Sequence, residues 1–167
     1  MITVSAALNH VLALAHPLAA EPIALQHAMG RILVRPVIAD RNQPPFAASA
    51  MDGYAICAAD LGAGRTQWDL IGEAAAGHRF DSPVSTGQAT RIFTGAPLPQ
   101  GTDHVLIQEH VTAMEGSITL IDGPNDKPHV RPAGGDFTVG YQLTTPRRLT
   151  PQDIALMASM NVAQPMV

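Results

Sequence analysis

A chain of 167 residues with 46% apolar side chains is long enough for one compact domain or two small ones, and apolar enough to build a core. Its formal charge of −4, with basic residues scattered apart from Arg147-Arg148, excludes a stripe able to neutralise a run of phosphates, so nucleic acid is not an expected partner. The single Cys57 excludes an intrachain disulfide and no apolar run approaches the roughly 20 residues that cross a bilayer; with no basic-then-apolar leader, a reducing cytoplasmic setting is expected.

The N-terminal stretch carries Val4, Ala7, Leu8, Val11 and Ala15 at helical spacing, with Thr3 as N-cap and Pro17 as stop. A second helix is predicted over Leu25–Leu33, where Leu25, Ala28, Met29 and Leu33 share a face, although Gly30 interrupts it; "RPVIAD" then reads as a short strand. From about Pro44 to Gly135 short alternating runs, "WDLIGEA", "ATRIFTG", "DHVLIQEHV" and "SITLI", are separated by Gly, Pro, Asp and Asn clusters, which predicts an all-β middle. Helix signals return in "LTPQDIALMASM": Thr150 can cap, Pro151 suits the first helical position, and Asp153 stands where a capping-box acid reaches back. The apolar "NVAQPMV" that follows reads as a strand. Helical ends around a strand-rich middle give an α+β, mostly β fold in which residues 1–43 and 137–167 form a discontinuous helical and extended outer domain and residues 44–136 an inserted β-rich domain.

Four acids stand at strand-to-loop boundaries: Asp52 in "SAMDGYA", Glu73 after "WDLIG", Glu109 after "HVLIQ" and Asp136 in "PAGGD". Such an acid can ligate Mg²⁺, hold a polar ligand edge, or organise a turn through its own backbone contacts. In "RIFTGAPLPQG" the prolines stiffen the exit from a strand, so the Thr94 hydroxyl and the Gly95 amide are candidates to face a ligand; a stiff connector is the alternative. No Walker or Rossmann glycine pattern occurs. His104 and His110 on one strand would be roughly 20 Å apart at about 3.3 Å per residue, too far to share an ion, and no histidine has zinc-type spacing with Cys57. Ser49 has no neighbouring base in sequence, and Cys57 in "YAICA" reads as a buried strand residue, so nucleophilic catalysis is not indicated. Arg91, Arg131 and Lys127 are the cations nearest these turns and could face an anion.

Taken in order, "PPFAASAMDGYA", "RIFTGAPLPQGTDHVLIQE", "VRPAGGDFTVGYQL" and "LTPQDIALMASMNVA" resemble the N-terminal half of the molybdopterin molybdotransferases, the bacterial MoeA and eukaryotic gephyrin E-domain family. The likeness covers nearly the whole chain, including the opening "VSAALNHVLALAHPL" and "EPIALQHAMGRILVRPVIAD". It implies a transferase of molybdenum cofactor synthesis that inserts molybdate into adenylylated molybdopterin with Mg²⁺ and release of AMP. It also implies an elongated homodimer, with the outer part serving linkage and dimerisation. The cleft would lie between the strand-rich domain and a molybdopterin-binding domain that nothing in these residues resembles, so that domain would be supplied in cis or in trans. Matched motif by motif, Asp52 and Asp136 fall on catalytic positions, and Ser49, Asp52, Thr94, Gly95 and Glu109 on substrate-binding ones; no metal-ligand set is assigned. Because both reactants are anionic, the acids suit cation or pterin positioning better than general-base work.

The sequence departs from the family pattern at Ala47 and Ala48, where polar residues are usual, at Gly135, where a Glu is usual, and at Asn161, which replaces a glycine in a turn that Asn also tolerates. The losses at Ala47, Ala48 and Gly135 point toward a noncatalytic scaffold or split-partner subunit that keeps the fold and dimer contacts, whereas retention of Asp52, Thr94, Glu109 and Asp136 together points toward the transferase. An unrelated β-rich binding domain would require the ordered motifs to be coincidence.

Overall fold

The computed structural model describes residues 2–123 and 127–167, which divide into two compact units: residues up to Ile38 together with Gln142–Val167, and Ala39–Tyr141. The first unit opens with helix α1 (Val4–Ala13), whose Thr3 hydroxyl accepts the Ala6 N–H at 3.1 Å as the sequence predicts. Helix α1 buries no residue; Val4, Leu8 and Val11 of its apolar stripe remain exposed.

The helix predicted over Leu25–Leu33 does not form. A 3-10 turn occupies Leu25–His27 and strand β1 is Ile32–Leu33. The reason is Gly30, which adopts φ +79, a left-handed conformation that ends a helix. The Gly30 N–H donates to the Leu149 carbonyl at 2.8 Å, committing the chain to a strand partner from the far end of the sequence. Strand β2 (Val37–Ile38) falls within "RPVIAD" as expected.

The chain then enters the second unit, with β3 (Ala48–Ser49), β4 (Gly53–Ile56), helix α2 (Ala58–Gly62), β5 (Gln67–Ala74), β6 (Gln88–Ile92), β7 (His104–Ile107), β8 (Val111–Met114), β9 (Ser117–Leu120) and β10 (Val130–Arg131). Six of these strands make one mixed sheet in the order β7-β4-β6-β5-β9-β8, and β3 pairs antiparallel with β10. Strand β4 is buried at all four residues because both faces of the sheet carry a core. Tyr54 and Ile56 pack with Trp68, Ala89, Leu106 and Ile118; Ala55, pointing the other way, packs with Ala74, Ile92, Ala96 and Val105.

Two details of this middle differ from the sequence reading. The run "DHVLIQEHV" is not one strand, since a 3-10 turn at Gln108–His110 separates β7 from β8, and His104 and His110 therefore lie on different elements. Helix α2 is also unanticipated. It is pinned by Asp60, which is 2% exposed and accepts the Trp68 Nε1–H and the Gly87 N–H, both at 2.9 Å. Cys57, read as a buried strand residue, is half-buried at the start of that helix.

The second unit takes in residues 39–43 and 137–141, which the sequence assigns to the outer part, because these segments are zipped to each other. Ala39 N–H donates to Tyr141 O at 2.9 Å, Gly140 N–H to Ala39 O at 2.8 Å, Gln43 N–H to Phe137 O at 2.8 Å, and Val139 N–H to Asn42 Oδ1 at 2.9 Å.

Back in the first unit, β11 (Gln142–Leu143) pairs with β2 and β12 (Arg147–Arg148) with β1. Helix α3 (Pro151–Ser159) carries the predicted capping box between Thr150 and Asp153, with Pro151 at its start. It ends at Asn161, whose φ of +64 gives the left-handed turn expected of a glycine substitute. The apolar ending pairs with Glu21–Ile23, through Val167 N–H to Glu21 O at 3.0 Å and Ile23 N–H to Pro165 O at 3.1 Å. Among the described residues, no helix is long and apolar enough to cross a membrane.

A candidate ligand site around Asp52

Asp52 owes its position to the residues on either side. Ser49, at the end of β3 and 1% exposed, donates its hydroxyl to Met51 O at 2.5 Å and accepts the Met51 N–H at 3.3 Å, bending the chain toward β4. Gly53 follows because β7 runs close beside it: any Cβ there would collide with the Leu106 carbonyl. The turn thus sits at the mouth of a strand held on both sides.

Beyond β6, Thr94 meets it. Its backbone N–H and its hydroxyl both donate to Asp52 Oδ1, each at 2.8 Å. Asp52 Oδ2 accepts nothing from the described residues. The Thr94 amide, then its hydroxyl, and to a smaller extent the nearby Arg91 charge hold the Asp52 carboxyl below its ordinary value of 3.8, against a desolvation that pushes the other way. The carboxylate is therefore ionised through the mildly acidic range. A lowered pKa makes it a poor base and leaves it charged to receive a cation or N–H and O–H donors.

The sequence reading turns the Thr94 hydroxyl and the Gly95 amide toward a ligand. In the structure both donors are occupied inside the protein: the hydroxyl by Asp52, the Gly95 N–H by Ser49 O at 2.8 Å. Ser49 N–H in turn reaches Ala96 O at 3.0 Å, so β3 and the 94–96 turn are laced together. Ser49, Asp52, Thr94 and Gly95 form one hydrogen-bonded cluster.

Glu109 joins it through its neighbour. Gln108 N–H donates to Asp52 O at 3.1 Å, and Gln108 Nε2 donates to the exposed Glu109 carboxylate at 3.3 Å. Gln108 is a contact that sequence reasoning missed; nothing in residue type or spacing distinguishes it from any polar residue at a strand end. Asp136 stands apart, with its two oxygens taking Arg131 Nη2 at 3.0 and 3.1 Å in a half-exposed ion pair. Its tie to the cluster is the backbone ladder that sets Arg131 opposite Ala48 and Val130 opposite Ser49. Glu73 is exposed on β5, its Cα opposite that of Arg91.

A cavity of about 230 Å³ lined by Phe46, Gly77, Arg79 and Pro97 opens beside the same β3 segment, where Leu98 N–H donates to Ala47 O at 2.9 Å. A roomier one of about 400 Å³, lined by residues that include Asp60, Arg65, Thr66 and Thr86, shares no residue with the Asp52 turn, and its acid is already engaged by Trp68 and Gly87. No group of three His, Cys, Asp or Glu able to hold a metal by itself exists among the described residues.

Comparison with known proteins gives this geometry a family. A molybdopterin molybdenumtransferase from Haemophilus influenzae is 37% identical over 167 residues, covering 98% of this chain and 41% of the relative. One from Nostoc is 32% identical over 149 residues, covering 86% and 34%. Among solved structures, a molybdopterin biosynthesis MoeA protein from Pyrococcus horikoshii matches with a TM-score of 0.85 at 27% identity over 99% of this chain and 44% of its own. A second matches with a TM-score of 0.79 at 29% identity over 89% and 41%. The chain spans about two fifths of the length of the curated relatives it matches. Since residues 2–161 match the model of the MoeA N-terminal region (domain I and II), the chain belongs to that family.

Proposed function

We propose that this chain is the N-terminal portion of a molybdopterin molybdotransferase, the enzyme of molybdenum cofactor biosynthesis that inserts molybdate into adenylylated molybdopterin and releases AMP. The observation that carries the reading is that Asp52, Thr94 and, through Gln108, Glu109 are brought together at one turn cluster in a chain whose residues 2–161 match the MoeA N-terminal region. The part-exposed Asp52 carboxylate keeps Oδ2 on the solvent side, away from the Thr94 contacts.

Mg²⁺ fits this donor set only as an ion shared with the substrate. With no cluster of three acids among the described residues, Asp52 Oδ2 would supply one ligand, and phosphate oxygens and water would supply the rest, which is the usual manner of Mg²⁺. When bound, the cation would offset the repulsion between an incoming oxyanion and the ligand phosphates. The chain's own part is to keep Asp52 ionised and fixed, with Glu109 beside it as a second polar contact for substrate and Ser49 and Gly95 shaping the turn. Asp136, paired with Arg131, is assigned to a second position on the same rim. A molybdopterin-binding domain, in cis or in trans, would complete the cleft in a cytoplasmic homodimer.

Asp52→Asn in a protein carrying all the domains tests this reading. Loss of a carboxylate that acts on the reacting groups lowers molybdenum insertion by about 100-fold or more. Insertion at the wild-type rate would sink the assignment. A scaffold reading draws on one specific observation, that the Ser49 hydroxyl and Gly95 N–H are engaged internally. It predicts a different outcome, with no insertion in wild type or Asp52→Asn and assembly unchanged in both.

A further inference from the structure

Arg91 sits at the centre of the contacts around Asp52 without touching the Asp52 carboxylate. It lies on β6 with its Cα opposite Tyr54 of β4, and its guanidinium lies over two rings, 5.0 Å from the centroid of Tyr54 and 4.7 Å from that of Phe93. Stacked this way, the planar fork has little freedom to rotate. Its two ends then reach in different directions. Nη1 donates to Gly53 O at 3.1 Å, the residue after Asp52, and Nη2 donates to Gln108 Oε1 at 2.7 Å, the residue before Glu109.

We propose that Arg91 is a positioning residue that fixes the Asp52 turn and the Glu109 turn to one another. The bracket has three arms. The guanidinium spans from Gly53 O to Gln108 Oε1; Gln108 passes the link on, its N–H to Asp52 O at 3.1 Å and its Nε2 to Glu109 at 3.3 Å; and the chain running on from Arg91 through Phe93 delivers Thr94 to Asp52 Oδ1. Both guanidinium acceptors are neutral. Arg91 makes no ion pair among the described residues, although Glu73 stands opposite it in the β5–β6 register. Its charge thus stays uncancelled beside Asp52 and contributes to keeping that acid ionised. A lysine offers a point charge in place of a two-ended fork, so it could keep the charge but not the span.

The consequence for catalysis rests on the proposed transferase reading, but the bracket is tested without substrate. In the 167-residue chain, backbone amide exchange and carboxyl titration by NMR are compared for wild type, Arg91→Lys, Arg91→Gln and Gln108→Ala. Arg91→Lys is expected to lower exchange protection of the Gln108 N–H about tenfold, the loss of one hydrogen bond's constraint. Arg91→Gln raises the Asp52 carboxyl titration toward its ordinary value. Gln108→Ala, at an exposed side chain, is expected to lower protection of the N–H at residue 108 as Arg91→Lys does, while the Thr94 N–H stays protected; unchanged exchange at residue 108 overturns the bracket. If Arg91→Gln fails to fold, Arg91→Lys and Gln108→Ala still decide the matter. A folded Arg91→Lys with unchanged Gln108 exchange overturns the bracket, whatever the protein's reaction. A broken bracket with molybdenum insertion at the wild-type rate, in a protein carrying all the domains, instead overturns the assignment of the reaction to these turns.

Discussion

Two aspartate–threonine pairs, one in each unit, start from the same chemistry and end differently. Asp153 at the head of α3 uses every available position: Oδ1 takes Arg147 Nε at 2.9 Å and Nη2 at 2.8 Å, while Oδ2 takes the Thr150 N–H at 2.9 Å and its hydroxyl at 2.8 Å. It is 3% exposed. Asp52 also takes an amide and a hydroxyl from one threonine, yet both fall on the same oxygen and the other is left over. The two carboxyls are held below their ordinary values, Asp153 chiefly by Arg147 and Asp52 chiefly by the Thr94 amide. A lowered pKa therefore does not separate a structural acid from a ligand-facing one; burial does, since Asp153 is enclosed and Asp52 is partly exposed.

The largest effect is expected from removing the platform under the open pair. Gly53→Ala drives a Cβ into the Leu106 carbonyl, a backbone group of a paired strand that cannot swing aside. The cost is about 3 kcal/mol, the upper end for overpacking. Urea unfolding checks it, and a change within about 0.5 kcal/mol would mean that β4 and β7 separate at little expense.

Asp153→Asn comes next. It keeps the shape of the cap and loses the charge that Arg147 and the helix N-terminus favour, costing about 2 kcal/mol, with the ion-pair share reduced because the Arg147 side chain is 45% exposed. Asp52→Asn should cost the fold less than this while affecting ligand chemistry more. If urea unfolding ranks the two the other way, Asp52 is the structural member and the comparison inverts.

Acidification separates the groups by window. The folded-state value of Asp153 lies below 3.8, so its contribution is complete well above that pH, declines as pH falls through it, and is gone below the folded value. The acid limb of the stability curve should flatten in Asp153→Asn. His104, 7% exposed, has its pKa lowered by burial, which disfavours its charged form. Because the unfolded histidine gains a proton first, stability also drops as pH falls below the ordinary 6.5, ahead of the carboxylates. Replacing His104 by Gln should remove only that earlier step in a pH series of melting curves.

Local signals carried the sequence reading where structure is local. Thr3, Thr150, Pro151 and Asp153 marked the two longer helices because capping is settled within four residues. Asn161 kept a left-handed turn for the same reason. Leu25–Leu33 misled because its apolar spacing is helical, while its fate is decided by pairing with Leu149 and Arg148 from the opposite end of the chain. The candidate site shows the same limit. Asp52 stood out as an acid at a turn, but its partner Thr94 is 42 residues away, and that distant pairing decides which oxygen is occupied. The donors expected to face a ligand, the Thr94 hydroxyl and Gly95 N–H, are engaged by residues that no spacing rule connects to them.

The smallest effect is the most discriminating, because it makes the same cut in both pairs. Thr94→Val and Thr150→Val each delete one hydroxyl donor to an aspartate and keep the volume and the backbone N–H. At the cap the deleted hydroxyl also accepts the Asp153 N–H at 3.3 Å, so Thr150→Val leaves a helix donor unpaired and should lower stability by about 1 kcal/mol. At the turn the hydroxyl serves Asp52 alone among the described residues, so Thr94→Val should raise the Asp52 titration toward its ordinary value and leave the unfolding midpoint almost unmoved. Carboxyl NMR and urea midpoints on the two variants read both quantities. A matched pair of midpoint losses would make the Thr94 contact a second structural cap; a titration shift without a midpoint loss would mark it as a device for keeping one carboxylate charged and one of its oxygens open.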